Sequence, residues 1–182
     1  MEKRKEKFKI LFICTGNSCR SPMAEGILKK MLKESKLDNF EVFSAGTSSM
    51  NGVFASLFAV EVAEQRNVDL SQHRTRQLSK QILKEADLIL AMSDTHWESI
   101  RRMDKNALEK VYLLKTFPHH YTTSSPEGDL YVTEIENKSQ SISYIKDPIG
   151  GSIDDYHECF SEIEKEIKRI FPDLVKKAGE KN

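Results

Sequence analysis

Hydrophobic positions along the chain follow two alternating rhythms. Short apolar runs at 8–13, 40–44, 87–91 and 111–114 have the length and the Ile, Val and Phe content of buried strands. Between them, apolar residues recur every three or four positions, the spacing of one helical face. From Ser21, with Pro22 suited to a first turn, Met23, Ile27, Leu28, Met31 and Leu32 form such a stripe. Phe54, Leu57, Phe58 and Val62 predict a second helix, and 80–85 a short third. Ser93 is placed to cap a fourth that carries Trp97 and Ile100. A last long helix is expected over 154–176, with Tyr156, Phe160, Ile163, Ile167, Ile170 and Leu174 buried and Pro172 a point where it kinks or stops.

Strands alternating with helices imply an α/β fold, a parallel sheet covered on both faces. Such sheets bind ligands at the carboxyl ends of their strands, and the first strand-to-helix junction is Cys14–Ser21. The stretch 115–146 breaks the rhythm. It is polar and patternless apart from a possible hairpin at 130–135, so it reads as a functional loop or a surface insertion.

Composition narrows the field. A chain of 182 residues with 38% hydrophobic and 31% charged residues suits a single globular domain, 1–182, with its own core. Basic and acidic residues balance at 28 each, so no cationic excess argues for nucleic acid or an anionic membrane. The apolar run at 10–13 is too short for a signal peptide or a membrane span, which leaves the cytoplasm as the expected location. Three cysteines, Cys14, Cys19 and Cys159, are too few for a disulfide framework, and none pairs with another Cys or His at zinc spacing. Neither a metal nor a cofactor is called for.

The chemistry concentrates in Cys14-Thr15-Gly16-Asn17-Ser18-Cys19-Arg20-Ser21. Between a strand and a helix start, successive N–H groups of such a turn can converge on an anion, and the helix dipole adds positive potential. Gly16 is expected to allow close backbone approach, and Asn17 tolerates a left-handed conformation. Arg20 offers a planar fork of donors to two phosphate oxygens. A thiol in that cup is expected to fall from about 8.5 into the range of roughly 3.5–7.5 and to be a thiolate. A nucleotide-binding Walker loop is excluded, because no Gly-Lys-Ser/Thr ends the turn. A thiolate phosphatase also needs an acid for its leaving group, and Asp147, in Asp147-Pro148-Ile149-Gly150-Gly151, is the candidate. The same five residues also make an ordinary turn before a helix.

With Pro22-Met23-Ala24-Glu25, Ser44-Ala45-Gly46, Asp87–Met92 and Asp147-Pro148 in this order, the chain resembles the low-molecular-weight protein tyrosine phosphatase family. The resemblance implies a flavodoxin-like three-layer sandwich around a four-stranded parallel sheet. It implies Cys14 as nucleophile, Arg20 as transition-state clamp, and Asp147 as acid and then base, through a phosphocysteine. The phosphate would lie on the loop from Thr15 through Gly16, Asn17, Ser18 and Cys19 to Arg20. Ser21 would support the thiolate, and Asn17, Ser44 and His73 would hold the loop in shape. His96, His119, His120 and His157 read as surface histidines and Cys159 as core. Phosphorylated proteins are the implied substrates, with phosphate, arsenate or vanadate as ligands and no nucleic acid or membrane as partner.

Two departures bear on specificity. Ser18 stands where tyrosine phosphatases carry Ile, and Ile149 where they carry an aromatic residue. Both resemble the bacterial protein-arginine phosphatases, which carry Thr at the Ser18 position, so phosphoarginine is favoured over phosphotyrosine. Arsenate reductases share the loop but need two further relay cysteines, absent from Ala91-Met92-Ser93. A binding module without turnover would need no paired nucleophile and acid.

Overall fold

β1 (Phe8–Cys14) is the strand around which the rest is ordered: β2 (Phe40–Gly46) pairs with it in parallel on one side and β3 (Leu88–Ala91) on the other. β4 (Val111–Leu113) pairs with β3, which gives a four-stranded parallel sheet in the order β2-β1-β3-β4. This computed structural model describes residues 6–120 and 144–180; the hairpin expected at 130–135 lies outside them. The helices are α1 (Arg20–Glu34), α2 (Leu57–Gln65), α3 (Lys80–Glu85), α4 (Asp94–Met103) and α5 (Ile153–Glu180), with a 3₁₀ turn at Lys105–Lys110.

Strand alternation sorts the side chains into two cores. Phe8, Ile10, Phe12 and Cys14 of β1, with Leu88 and Leu90 of β3, pack under α1, α2 and α5. Leu11 and Ile13, with Ile89 and Ala91, face α3, α4 and the 3₁₀ turn. The expected three layers are therefore present, and Cys14 ends β1 on the α1 and α5 side. Among the described residues no helix is long and apolar enough to cross a membrane.

Two expectations need correction, and one element was not expected. Phe54 precedes α2, and Phe54, Leu57 and Phe58 are exposed, while Ala59, Val62 and Ala63 form the buried face. Pro172 neither ends α5 nor faces the core: it is exposed, and so is Lys168 one turn earlier, so water can satisfy the carbonyl that proline leaves unbonded. The 3₁₀ turn before β4 carries no apolar stripe and went unanticipated; Asp104 caps it by accepting from the Asn106 N–H.

Candidate active site

The loop after β1 is held from outside by its carbonyls. Those of Cys14 and Thr15 accept from the backbone N–H groups of Thr47 and Ser48, each at 2.9 Å. Gly16 O accepts from the Ser49 hydroxyl at 2.9 Å, Asn17 O bonds His73 Nε2 at 2.8 Å, and Ser18 O accepts from the Ser56 N–H at 2.9 Å. In a trans peptide the N–H points opposite to the preceding C=O. Five carbonyls turned outward therefore turn the next five N–H groups toward the interior of the loop, an anion cradle. α1 adds to it, since its N-cap residue Cys19 makes no side-chain cap bond and its first turn holds no acidic residue.

Asn17 is the internal brace. Its φ of 54° is left-handed, as its residue type allows, and it is fully buried. Its Nδ2 donates to Ser21 Oγ at 2.9 Å and Ser44 Oγ at 2.8 Å, while Oδ1 accepts from the Arg76 N–H at 2.8 Å. Ser44 in turn donates to Glu25 Oε2 at 2.6 Å. The tight fit expected at Gly16 lies instead at Gly46, where a Cβ would come within 2.5 Å of Thr15 O and 2.9 Å of Asn17 N; at Gly16 it would meet only Ser18 Oγ, at 3.4 Å.

Cys14 Sγ lies 2.9 Å from Ser21 Oγ and accepts from the Asn17 N–H at 3.2 Å. Burial pushes its thiol up, and the Ser21 hydroxyl, the Ser21 and Asn17 amides and Arg20 pull it down. Burial is the larger effect, so it pushes the thiol above its ordinary value in the anion-free site. Arg20 itself is engaged on three sides. Its Nη2 donates to Asp147 Oδ2 and, at 3.3 Å, to Thr15 Oγ1; its Nη1 donates to Ile145 O at 3.2 Å. Its Nε–H is buried with no partner among the described residues, a donor left for an anion. Asp147 thus reaches the cup from the far side, its Oδ1 accepting from the Ile149 N–H at 3.2 Å; Gly150, at φ 78°, turns the chain back toward α5.

Ser18 is half-buried with Oγ 3.5 Å from Cys19 Sγ, and Cys19 Sγ lies 3.3 Å from Ser56 Oγ and 3.4 Å from the Tyr156 hydroxyl. Cys159 is core, as expected, and burial pushes it up to about 12. His119 is exposed and His157 half-buried, whereas His120 stacks on Tyr112 with ring centroids 4.0 Å apart. His96 overturns the surface reading. It is 3% exposed, with Nε2 2.9 Å from Thr15 Oγ1 and Nδ1 2.8 Å from Ser93 Oγ. Its place in the first turn of a helix that starts at a strand's carboxyl end was the signal available for it. Among the described residues no group of three or more His, Cys, Asp or Glu could hold a metal ion.

Known proteins resemble this chain over most of its length. The sequence model of the low molecular weight phosphotyrosine protein phosphatase family matches residues 9–181. A protein-arginine-phosphatase of Bacillus subtilis (strain 168) is 34% identical over 167 residues, 92% of this chain and 97% of its own. A low molecular weight protein-tyrosine-phosphatase, PtpB of Staphylococcus haemolyticus, is 32% identical over 155 residues, 85% of this chain and 91% of its own. Among solved structures, the YwlE arginine phosphatase from Geobacillus stearothermophilus superposes with a TM-score of 0.76 at 31% identity, covering 96% of this chain and 97% of that one.

Proposed function

The chain belongs to the low-molecular-weight phosphotyrosine protein phosphatase family, and we propose that it hydrolyses phosphoarginine in proteins through a phosphocysteine. One observation carries the reading: a buried thiol at the floor of a loop whose five carbonyls are tied away from it, beside an arginine with an unspent buried N–H. That arrangement suits a tetrahedral oxyanion, so phosphate, arsenate and vanadate are its simple ligands.

The resting site holds one exchangeable proton, on Cys14, and a carboxylate, Asp147, paired with Arg20. The incoming phosphoryl group takes Arg20 from Asp147, and the thiol proton passes through a phosphoryl oxygen to Asp147. Ser21 and the Asn17 N–H then hold the charge on Sγ. The thiolate attacks phosphorus, an S–P bond forms, the P–N bond breaks, and Asp147 protonates the departing guanidine nitrogen. In the second step Asp147 takes a proton from water. The water oxygen bonds to phosphorus as the S–P bond breaks, inorganic phosphate leaves, and Asp147 returns its proton to Cys14 Sγ, which restores the resting site.

The preference for phosphoarginine rests on the relatives named for it and on the polar Ser18 at the mouth. A protein substrate is supported by Val53, Phe54 and Leu57, exposed beside the Ser56 amide that bonds Ser18 O. On this reading 1–182 is one phosphatase domain with a polar insertion at 115–146. Three free cysteines, one of them the nucleophile, suit the reducing cytoplasm.

The test compares initial rates on phosphoarginine and phosphotyrosine peptides for wild type and Cys14→Ser. Wild type is expected to prefer phosphoarginine, and Cys14→Ser to lose turnover while still binding vanadate. A preference for phosphotyrosine would move the chain to the tyrosine-directed reading. Substantial turnover by Cys14→Ser would overturn the mechanism itself.

A further inference from the structure

We propose that His96 positions Arg20 for phosphoryl transfer, acting through the Thr15 hydroxyl as a neutral hydrogen-bond acceptor. The proposal rests on the reading of the site as a phosphatase and adds to it a residue from the opposite side of the sheet. Arg20 Nη2 donates to Thr15 Oγ1 at 3.3 Å, and the same oxygen lies 2.9 Å from His96 Nε2. His96 Nδ1 lies 2.8 Å from Ser93 Oγ, which lies 2.8 Å from Thr95 Oγ1.

A hydroxyl carries one hydrogen, so each tautomer of His96 runs the chain in one direction. Thr15 accepts from Arg20 and gives its own hydrogen to His96 Nε2. His96 then carries its hydrogen on Nδ1 and donates to Ser93, which donates to Thr95. Each acceptor along the line then takes one donor, and the hydrogen left over is that of the exposed Thr95 hydroxyl. The opposite tautomer would crowd two donors, Nε2–H and the Arg20 N–H, onto one oxygen and turn the Thr15 hydrogen out to water, so the proposal takes the first.

A protonated ring would place a second cation against Arg20. Burial, and then Arg20 itself, hold His96 down to about 4, with Asp94 opposing. Asp94 is turned elsewhere, accepting from the Tyr144 hydroxyl at 3.1 Å. The neutral ring thus gives Arg20 a fixed polar neighbour that outlasts its exchange of Asp147 for a phosphoryl oxygen. The alternative is that His96 merely fills the start of α4.

Vanadate and inorganic phosphate, measured by direct binding, separate the two. Vanadate takes up the five-coordinate geometry of the transition state, and phosphate keeps the ground-state tetrahedron. Thr15 is exposed, so water replaces part of what is lost and the expected effect is about threefold to tenfold rather than larger. His96→Leu should weaken vanadate by that factor and phosphate little, and lower kcat with KM nearly unchanged. His96→Gln, whose amide oxygen can take the Thr15 hydrogen, should recover much of both. Thr15→Val, an exposed and nearly isosteric change, should copy His96→Leu, and the double variant should be no worse than the weaker single one.

Equal weakening of both anions by His96→Leu, no recovery in His96→Gln, or multiplied effects in the double variant would each overturn the proposal. If His96→Leu does not fold, Thr15→Val and His96→Gln decide: unchanged vanadate affinity in Thr15→Val refutes it. Failure of the phosphatase reading shows separately, as absent turnover in wild type or turnover surviving in Cys14→Ser.

Discussion

At Ser18, one hydroxyl separates two substrate classes. A guanidine leaving group is planar, cationic and rich in donors, whereas a phenol is apolar and flat. Ser18 offers an acceptor at the mouth of the cup, and Ile149, 65% exposed, offers no ring to stack against. Loss of a hydrogen bond to a charged group costs about 1.5–3 kcal/mol, roughly tenfold to 150-fold in rate. Ser18→Ile is therefore expected to lower kcat/KM for phosphoarginine peptides by about that factor and to spare or raise it for phosphotyrosine peptides. Ser18→Thr keeps the hydroxyl and should keep the preference. Paired kcat/KM values on the two peptides check this, and an unmoved ratio in Ser18→Ile would shift specificity to Ile149. Residue identity made Ser18, Cys14 and Arg20 legible in the sequence, because their chemistry depends on type and local spacing. His96 was not legible, because imidazoles on a helix surface and imidazoles bonded at both nitrogens leave the same mark in a sequence.

Elements obey periodicity except where they border the cup. α1 and α5 bury the faces that their spacing marks out, and Ser79 caps α3 by accepting from the Ile82 N–H at 3.3 Å. α2 differs, since its first turn presents Leu57, 86% exposed, and Phe58 to solvent near the mouth. Apolar spacing there marks a surface, and its exposure is better suited to an approaching protein than to the core. Leu57→Ala is expected to change folding stability by no more than about 0.5 kcal/mol. Leu83→Ala, on fully buried Leu83 of α3, should cost about 2–5 kcal/mol through lost burial and a cavity. Urea unfolding of both variants checks the contrast, and comparable losses would place Leu57 in a core. At α4, Ser93 stands at the N-cap but makes no cap bond, because its hydroxyl is committed to His96 and Thr95.

Over the whole molecule, buried neutral imidazoles tie stability to pH. Burial is the first cause that lowers both His96, to about 4, and His73 below the ordinary 6.5. The unfolded chain therefore takes up protons first as pH falls, so the folded state loses ground. This contribution is intact above about 6.5 and is lost as pH drops toward about 4. The melting temperature is expected to hold above that range and fall within it, and His96→Gln should flatten the fall. An unchanged slope in that variant would mean that His96 is not held neutral in the fold. Much of the architecture is legible in the sequence. The order of strands and helices, the loop after β1 and the candidate acid Asp147 follow from periodicity and residue type, which are properties of neighbours in the chain. Tertiary structure alone decided which glycine the loop leans on, Gly46 rather than Gly16, and that Arg20 is turned to Asp147. It also decided that His96 stands behind Thr15. The physical reason is distance along the chain: the loop is braced by bonds that span from 27 residues, Asn17 to Ser44, to 127, Arg20 to Asp147. Contacts so remote impose no period on the sequence, and burial, which pushes the Cys14 thiol up and the His96 ring down, exists only once they close.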